Sequence, residues 1–236
     1  MRVVINHLTR MSAPRICVAG IEQTTDRHIR PTTPANDPIT RSLLEEMGGP
    51  FGLGVVVDLG TVDPTPGLPE SEDHRFATAA ATVVGRLAAG DYLGLLDRLS
   101  EDDLESIFGP DLERRGRSFA IEEGHGTVSL GVLRAQRRPE LEIDGYGKLR
   151  LKFNDVEEPA HLGVTDLRFV EADHTTLKHD VIADVQERMQ RGVPVLLMVG
   201  LARAFMADRD DRNRHWLQVN GICLEDMPLA DPPQQD

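Results

Sequence analysis

The sequence has few aromatic residues and few cysteines. Its 236 residues include one tryptophan, two tyrosines and seven phenylalanines. The two cysteines, Cys17 and Cys223, form no CxxC spacing, which favours two packed, reduced thiols over a metal or redox site. No apolar run approaches the 18 residues of a membrane-spanning helix, and Asn6 and His7 interrupt the apolar start. We therefore expect a cytoplasmic protein without a signal peptide or a membrane partner.

Positive charge is scarce over most of the chain. The 26 Lys and Arg residues face 39 Asp and Glu residues, which gives a formal net charge of −13. Such a field repels phosphate backbones and anionic lipid. Residues 1–41 are the exception, because six arginines and three acids give this segment a local charge of +3. The N-terminal segment is therefore the expected electropositive region.

Recognisable catalytic motifs are also lacking. The glycine cluster at residues 48–54 lacks the Lys-Ser/Thr pair of a phosphate-binding P-loop, and no GxSxG, HExxH or zinc spacing occurs. The acids Glu70, Glu72 and Asp73 beside His74 suggest either the first turn of a helix or a divalent metal site, and the helix start is favoured. The sequence thus predicts no catalytic residue, no metal ligand and no cofactor.

Short apolar runs bounded by Gly, Pro or Asn dominate both ends of the chain and predict strands. The predicted strands are residues 2–8, 15–21, 52–59, 127–135, 148–153, 161–169, 195–201 and 216–224. Helical periodicity predicts helices at 73–90, 92–99 and 176–191, and the polar stretch 113–126 is the expected linker. The predicted order of strands, helix and strands occurs twice along the chain. This order indicates a mixed β with α (α+β) fold of two small barrels or sheets.

The segment at residues 17–31 predicts a strand, a polar turn and a second short strand. Arg30 is followed by Pro31, a rigid place to present a guanidinium group. Arg27, His28 and Arg30 are therefore candidates for binding a phosphate or a carboxylate, and a solvated hairpin is the equal alternative.

The segment HWLQVNGI at residues 215–222 is the second candidate. Trp216, Gln218 and Asn220 alternate with apolar residues, and Asn220-Gly221 predicts a turn. Trp216 is suited to stacking on a base, with Gln218 or Asn220 reading its edge. Packing of the tryptophan at a barrel rim is the favoured alternative.

Seven short sequence segments follow one another along the chain. They are HLTRM (7–11), CVAGIE (17–22), RHIRP (27–31), LRLKFND, GVTDLRF, VLLMVGLAR and HWLQVNGI. This succession resembles the bacterial dual OB-containing domain family. The resemblance implies two OB-like β-barrels, each with an associated helix, and a role with nucleic acid. The first barrel would span residues 1–115 with a helical segment at 73–108, and the second residues 116–236 with the helix at 176–191.

We therefore expect a nucleic-acid or nucleotide binding module with no evident catalytic motif. Its expected site consists of Arg10, Arg27, His28 and Arg30 for phosphate contacts, Trp216 for stacking, and Gln218 and Asn220 for base discrimination. The alternative is an accessory component of a defence or nucleic-acid-processing operon whose acidic surface binds a basic protein partner. A nucleotide hydrolase that uses Asp73 or His179 is a third hypothesis, and it requires these groups to converge in one pocket.

Overall fold

The computed structural model describes residues 1–156, 158–208, 210–227 and 229. Residues 230–236, the end of the second predicted domain, lie outside the described residues. The fold is mainly β with few helices, which confirms the α+β class, and its strands form two sheets. Among the described residues, neither sheet closes into a barrel.

The first sheet uses the N-terminal third of the chain. Its strand order is β5-β6-β3-β2-β1-β4-β7. The strands are β1 (Arg2–Arg10), β2 (Ile16–Glu22), β3 (His28–Thr32), β4 (Val55–Asp58), β5 (Asp63–Pro64), β6 (Asp73–Arg75) and β7 (Thr82–Arg86).

The second sheet takes ten strands from the rest of the chain. They are β8 (Ser100–Glu101), β9 (Glu113–Arg115), β10 (Ser118–Glu122), β11 (Leu130–Arg134), β12 (Glu140–Ile143), β13 (Leu149–Asp155), β14 (Glu158–Val164), β15 (Val195–Leu201), β16 (Phe205–Met206) and β17 (Asn213–Leu224). The main order is β12-β13-β14-β17-β15-β11-β8, and β10 and β16 also pair with β17.

The described residues include three α-helices: α1 (Ala89–Arg98), α2 (Leu104–Phe108) and α3 (His179–Gln190). The last confirms the helix predicted at 176–191. Helix α2 begins after Asp103, whose carboxylate accepts a hydrogen bond from the Ser106 amide at 2.7 Å. None of the described helices is both long and apolar enough to cross a membrane.

The helix predicted at residues 73–90 is wrong. This stretch forms strand β6, a single 3-10 turn (Thr78–Ala80) and strand β7. Arg30 and Pro31 of β3 pair with Asp73 and His74, and Val83 pairs with β4. Sheet pairing and β-branched side chains thus override the helix propensity of the alanines. The helical segment assigned to 73–108 is reduced to α1 and α2.

Three further predictions are corrected by strand pairing. The expected linker at 113–126 carries strands β9 and β10, because the apolar residues Phe119, Ala120 and Ile121 are buried and β10 pairs with β17. The turn expected at Asn220-Gly221 is part of the long strand β17. The strand predicted at 161–169 begins at Glu158, ends at Val164 and is followed by a 3-10 turn.

Apolar packing joins the two sheets. One hydrophobic cluster belongs mainly to each sheet, and a third contains residues from both. Val4 of β1 and Met198 of β15 are members of this third cluster, together with Tyr92 and Leu96 of α1. Helix α1 therefore helps to hold the sheets together through its buried face.

A buried carboxylate adds a polar contact between the sheets. Glu72, which precedes β6, is 7% exposed. Its carboxylate accepts hydrogen bonds from the Ser129 amide at 2.7 Å, the Ser129 hydroxyl at 2.8 Å and the Leu130 amide at 3.2 Å. A buried charge is costly unless donors surround it. Glu72 therefore fixes the first sheet against the start of β11.

Replacing Glu72 tests this contact. Glu72→Ala leaves three buried donors of the other sheet without an acceptor, so we expect a loss of about 3–5 kcal/mol in the free energy of unfolding. Urea denaturation of Glu72→Ala and of the exposed control Glu105→Ala measures the effect. The control should change stability by less than about 0.5 kcal/mol. A loss below about 1 kcal/mol for Glu72→Ala would contradict the role of this carboxylate.

Candidate functional site

A β-bulge in β1 redirects its side chains. The register of β1 against β2 shifts between Ile5 and His7, which leaves Asn6 as the extra residue. A bulge moves the two-residue alternation of side chains by one position. Ile5 belongs to the core of the first sheet before the bulge, and Leu8 packs against that core after it. His7 and Thr9 consequently line a cavity instead.

A second bulge lies in β17. The register of β17 against β15 shifts between Met198 and Val199, where Asn220 is the extra residue. The Asn220 side chain accepts a hydrogen bond from the Thr165 hydroxyl at 3.1 Å. A Cβ atom at Gly200 would lie 2.1 Å from its amide nitrogen, so only glycine leaves room for Asn220. The two bulged strands contact one another, and both contribute to the same cavity.

The cavity has a volume of about 420 Å³ and lies where the two sheets meet. Its apolar walls include Ile16 and Ile39 from the first half of the chain and Leu130 and Leu201 from the second. Polar lining comes from His7, Thr9, Gln218 and Asn220. An apolar cavity of this size with a few polar groups is typical of a site for a small molecule or for one unit of a polymer.

The charged groups that line the cavity are all positive. Arg10, Arg15, Arg30 and Arg203 belong to the lining, and no Asp or Glu from the described ranges does. This composition contrasts with the net charge of −13 for the whole chain. The lining therefore favours an anionic ligand over a cation.

Two of these arginines are paired with buried acids behind the cavity wall. The Arg30 Nε atom lies 2.6 Å from the Asp73 carboxylate, and both side chains are buried. Arg203 lies 2.5 Å from Asp73 and 3.1 Å from Glu70. His215 contacts Glu70 from the other side at 3.3 Å. Of the acids predicted at a helix start or a metal site, Glu70 and Asp73 thus act as ion-pair partners, and Glu72 accepts the hydrogen bonds described above.

Arg10 and Arg15 differ from that pair. The Arg10 guanidinium group donates to the His174 carbonyl at 2.8 Å, and partial burial lowers the pKa of Arg10. Arg15 is exposed at the edge of the cavity, and its side chain has no ion-pair partner within the described part of the chain. Arg15 is therefore the arginine whose charge is most available to a ligand.

Several buried polar atoms of the residues that line the cavity have no hydrogen-bond partner within the described part of the chain. They are both ring nitrogens of His7, the hydroxyl of Thr9 and the Nη2 atom of Arg30. Burial, with smaller effects of His28 and Arg30, holds the pKa of His7 well below its usual range. The imidazole of His7 is consequently neutral at pH 7 and offers one donor and one acceptor.

The predicted site residues fall into three groups. Arg10, Arg30, Gln218 and Asn220 line the cavity together, although up to 210 positions separate them in the sequence. Arg27 and His28 line a different cavity of about 510 Å³, next to Glu22, Asp26 and Glu72. The ring of His28 meets His7 edge to face at 5.6 Å, so the two cavities are neighbours.

Trp216 lies on the strand that leads into the cavity. Side chains two residues apart share a face of a strand, so Trp216 and Gln218 lie on the same face of β17. The Trp216 ring is half-buried, and its centroid is 6.5 Å from that of Phe205, which is 47% exposed. An aromatic surface therefore continues from the cavity along β17.

Sequence reasoning missed four residues of the cavity: His7, Thr9, Arg15 and Arg203. Arg15 was counted in the positive N-terminal segment, and His7 is part of the word HLTRM. No sequence signal marks the unpartnered atoms of His7 and Thr9, because their environment depends on the bulge at Asn6. Among the described residues, no three His, Cys, Asp or Glu side chains converge as metal ligands.

Comparison with known proteins gives one family. A family model described as Dual OB-containing domain matches residues 1–222. No curated protein matches the chain.

The buried histidines predict a pH-dependent stability. Burial lowers the pKa of His28 to about 4, and the pKa of His7 is also lowered, so the unfolded chain binds more protons than the folded chain between about pH 4 and 6.5. Stability therefore falls as the pH drops through this range, by at most about 1.4 kcal/mol per pH unit for each histidine.

Urea denaturation at pH 5, 6 and 7 measures this dependence. His7→Gln should reduce the slope by about 1 kcal/mol per pH unit, because glutamine does not titrate. The exposed control His125→Gln should keep the wild-type slope. An unchanged slope in His7→Gln would show that His7 is not held neutral by the fold.

Proposed function

The chain belongs to the dual OB-containing domain family, and from this premise we propose that the cavity between the sheets binds a nucleotide, either free or as one unit of a nucleic-acid strand. We further propose that the predicted ranges 1–115 and 116–236 correspond to the two OB-like modules of the family description. Support comes from the division of the strands into two sheets, since the first uses strands from 2–86 and the second uses strands from 100–224. The short strands β8 and β9 precede residue 116 and nevertheless join the second sheet.

The lining charge is the observation that carries this function. Four arginines and no described carboxylate line a cavity in a chain with 39 acidic residues. Guanidinium groups match the geometry of phosphate oxygens, and hydrogen bonds between them are strengthened by charge. Asp73 and Glu70 neutralise Arg30 and Arg203 in part, so Arg15 and Arg10 are the proposed phosphate ligands.

The apolar walls suit the remainder of a nucleotide. Ile16, Ile39, Leu130 and Leu201 provide surfaces for the faces of a ring, and Gln218 and Asn220 provide amide groups for its edges. Apolar walls with a few amide groups discriminate between bases better than a uniformly charged groove does. A base whose edge does not match the amides leaves buried polar groups without hydrogen bonds.

The surface formed by Phe205 and Trp216 extends the proposed site. Bases of a single strand stack on aromatic side chains with little dependence on sequence. The exposed ring of Phe205, whose centroid lies 6.5 Å from that of Trp216, would provide such a stacking surface. Arg27 and His28 line the neighbouring cavity and would contact only a strand that continues beyond this site.

Binding of labelled single-stranded DNA and RNA 12-mers tests this proposal. Fluorescence anisotropy at 50 mM and 200 mM salt should give an affinity that falls as salt rises, with nucleoside triphosphates as competitors. Arg15→Gln should weaken binding about threefold to tenfold, since it removes one charge-assisted hydrogen bond at an exposed position.

The control is Arg191→Gln, which removes the same charge from the exposed end of α3. It should bind as the wild type does. Absence of binding to strands and nucleotides alike, or equal weakening in both variants, would reject the cavity as the binding site.

A further inference from the structure

We infer that the nucleotide enters the cavity with its base first, so that His7, Thr9 and Arg30 at the buried end read the edge of the base while the phosphate stays at the mouth. This inference rests on the proposed function and assigns a specificity-determining role to His7 and Thr9.

Burial divides the cavity lining into two ends. The side chains of His7, Thr9 and Arg30 are 1%, 7% and 5% exposed. Arg15 is exposed, and the side chain of Arg203 is 56% exposed. Arg15, which has no ion-pair partner among the described residues, therefore lies towards solvent, and His7, Thr9 and Arg30 lie at depth.

The buried end is close to electrical neutrality. The charge of Arg30 is compensated by Asp73 at 2.6 Å, and the imidazole of His7 is neutral at pH 7 because burial lowers its pKa. A phosphate group moved to this depth would lose its hydration without gaining a full opposite charge. A nucleobase is neutral, and its edge carries several donors and acceptors.

The unpartnered atoms match such an edge. Arg30 Nη2 is a donor only, the Thr9 hydroxyl both donates and accepts, and the two His7 nitrogens offer one donor and one acceptor. Each unsatisfied buried polar group destabilises the free protein, and a ligand that supplies partners removes this cost. A base with a carbonyl oxygen facing Arg30 would supply an acceptor to the Nη2 atom, which has none in the described ranges.

Thr9→Val is the sharpest variant for a test. Valine keeps the branched shape of threonine and favours strands, and it removes a hydroxyl that has no partner among the described residues. The fold should therefore be retained. His7→Phe keeps an aromatic ring against His28 and removes both ring nitrogens, which gives a second, independent variant.

The experiment measures affinities for AMP, GMP, CMP, UMP and ribose 5-phosphate by isothermal titration calorimetry. The wild-type protein should bind its preferred nucleotide with an affinity at least about tenfold higher than that for the weakest-binding nucleotide. Its affinity for the preferred nucleotide should exceed that for ribose 5-phosphate by at least the same factor. Thr9→Val and His7→Phe should each weaken the preferred nucleotide about threefold to tenfold and the disfavoured ones less. Thr24→Val, on the exposed turn after β2, is the matched control and should keep the wild-type preferences.

Arg15→Gln distinguishes the two ends, because it should weaken all four nucleotides and ribose 5-phosphate by the same factor. Equal loss for all ligands in Thr9→Val and His7→Phe, or ribose 5-phosphate binding as tightly as the nucleotides, would overturn base-first entry while leaving nucleotide binding intact. Failure of every mononucleotide to bind while the 12-mers do bind would also overturn base-first entry, and failure of the 12-mers as well would overturn the proposed function.

Discussion

Two adjacent buried carboxylates, Glu72 and Asp73, determine how the two sheets meet. Glu72 accepts three hydrogen bonds from Ser129 and Leu130 of the second sheet, and Asp73 lies between Arg30 of the first half of the chain and Arg203 of the second. Buried charges tolerate few alternative arrangements, because each lost partner leaves an uncompensated group. The cavity follows from this contact, since Arg30, Leu130 and Arg203 are also part of its lining.

The bulges at Asn6 and Asn220 convert this contact region into a site. If β1 ran as a regular strand through Asn6, His7 would lie on the same face as Ile5, towards the core of the first sheet. The bulge instead places a neutral imidazole and the Thr9 hydroxyl, which has no hydrogen-bond partner among the described residues, in the lining of a cavity between the sheets. Unpartnered buried groups destabilise the free protein, and such local costs are typical of binding sites.

The sequence predicted those parts that depend on local pattern. The strand at 195–201 is predicted with its observed bounds. Its continuous apolar run is short and lies between Gly192, Pro194 and Ala202, a pattern that favours a buried strand. Strand β7 was mistaken for a helix, since its pairing with β4 overrides local propensity. Of the site, Arg10, Arg30, Gln218 and Asn220 were predicted from residue type, whereas His7, Thr9 and Arg203 acquire their roles only through the bulge and the ion pairs.

The central claim is that the ligand reaches the neutral, buried end of the cavity. Nitrogen NMR of protein labelled with ¹⁵N-histidine observes the ring nitrogens of His7 directly, and a His7→Phe sample assigns them. Addition of the preferred nucleotide should shift both His7 ring nitrogens as they gain hydrogen-bond partners, with His125 unchanged. Saturation with that nucleotide and no change at the His7 ring would contradict the account.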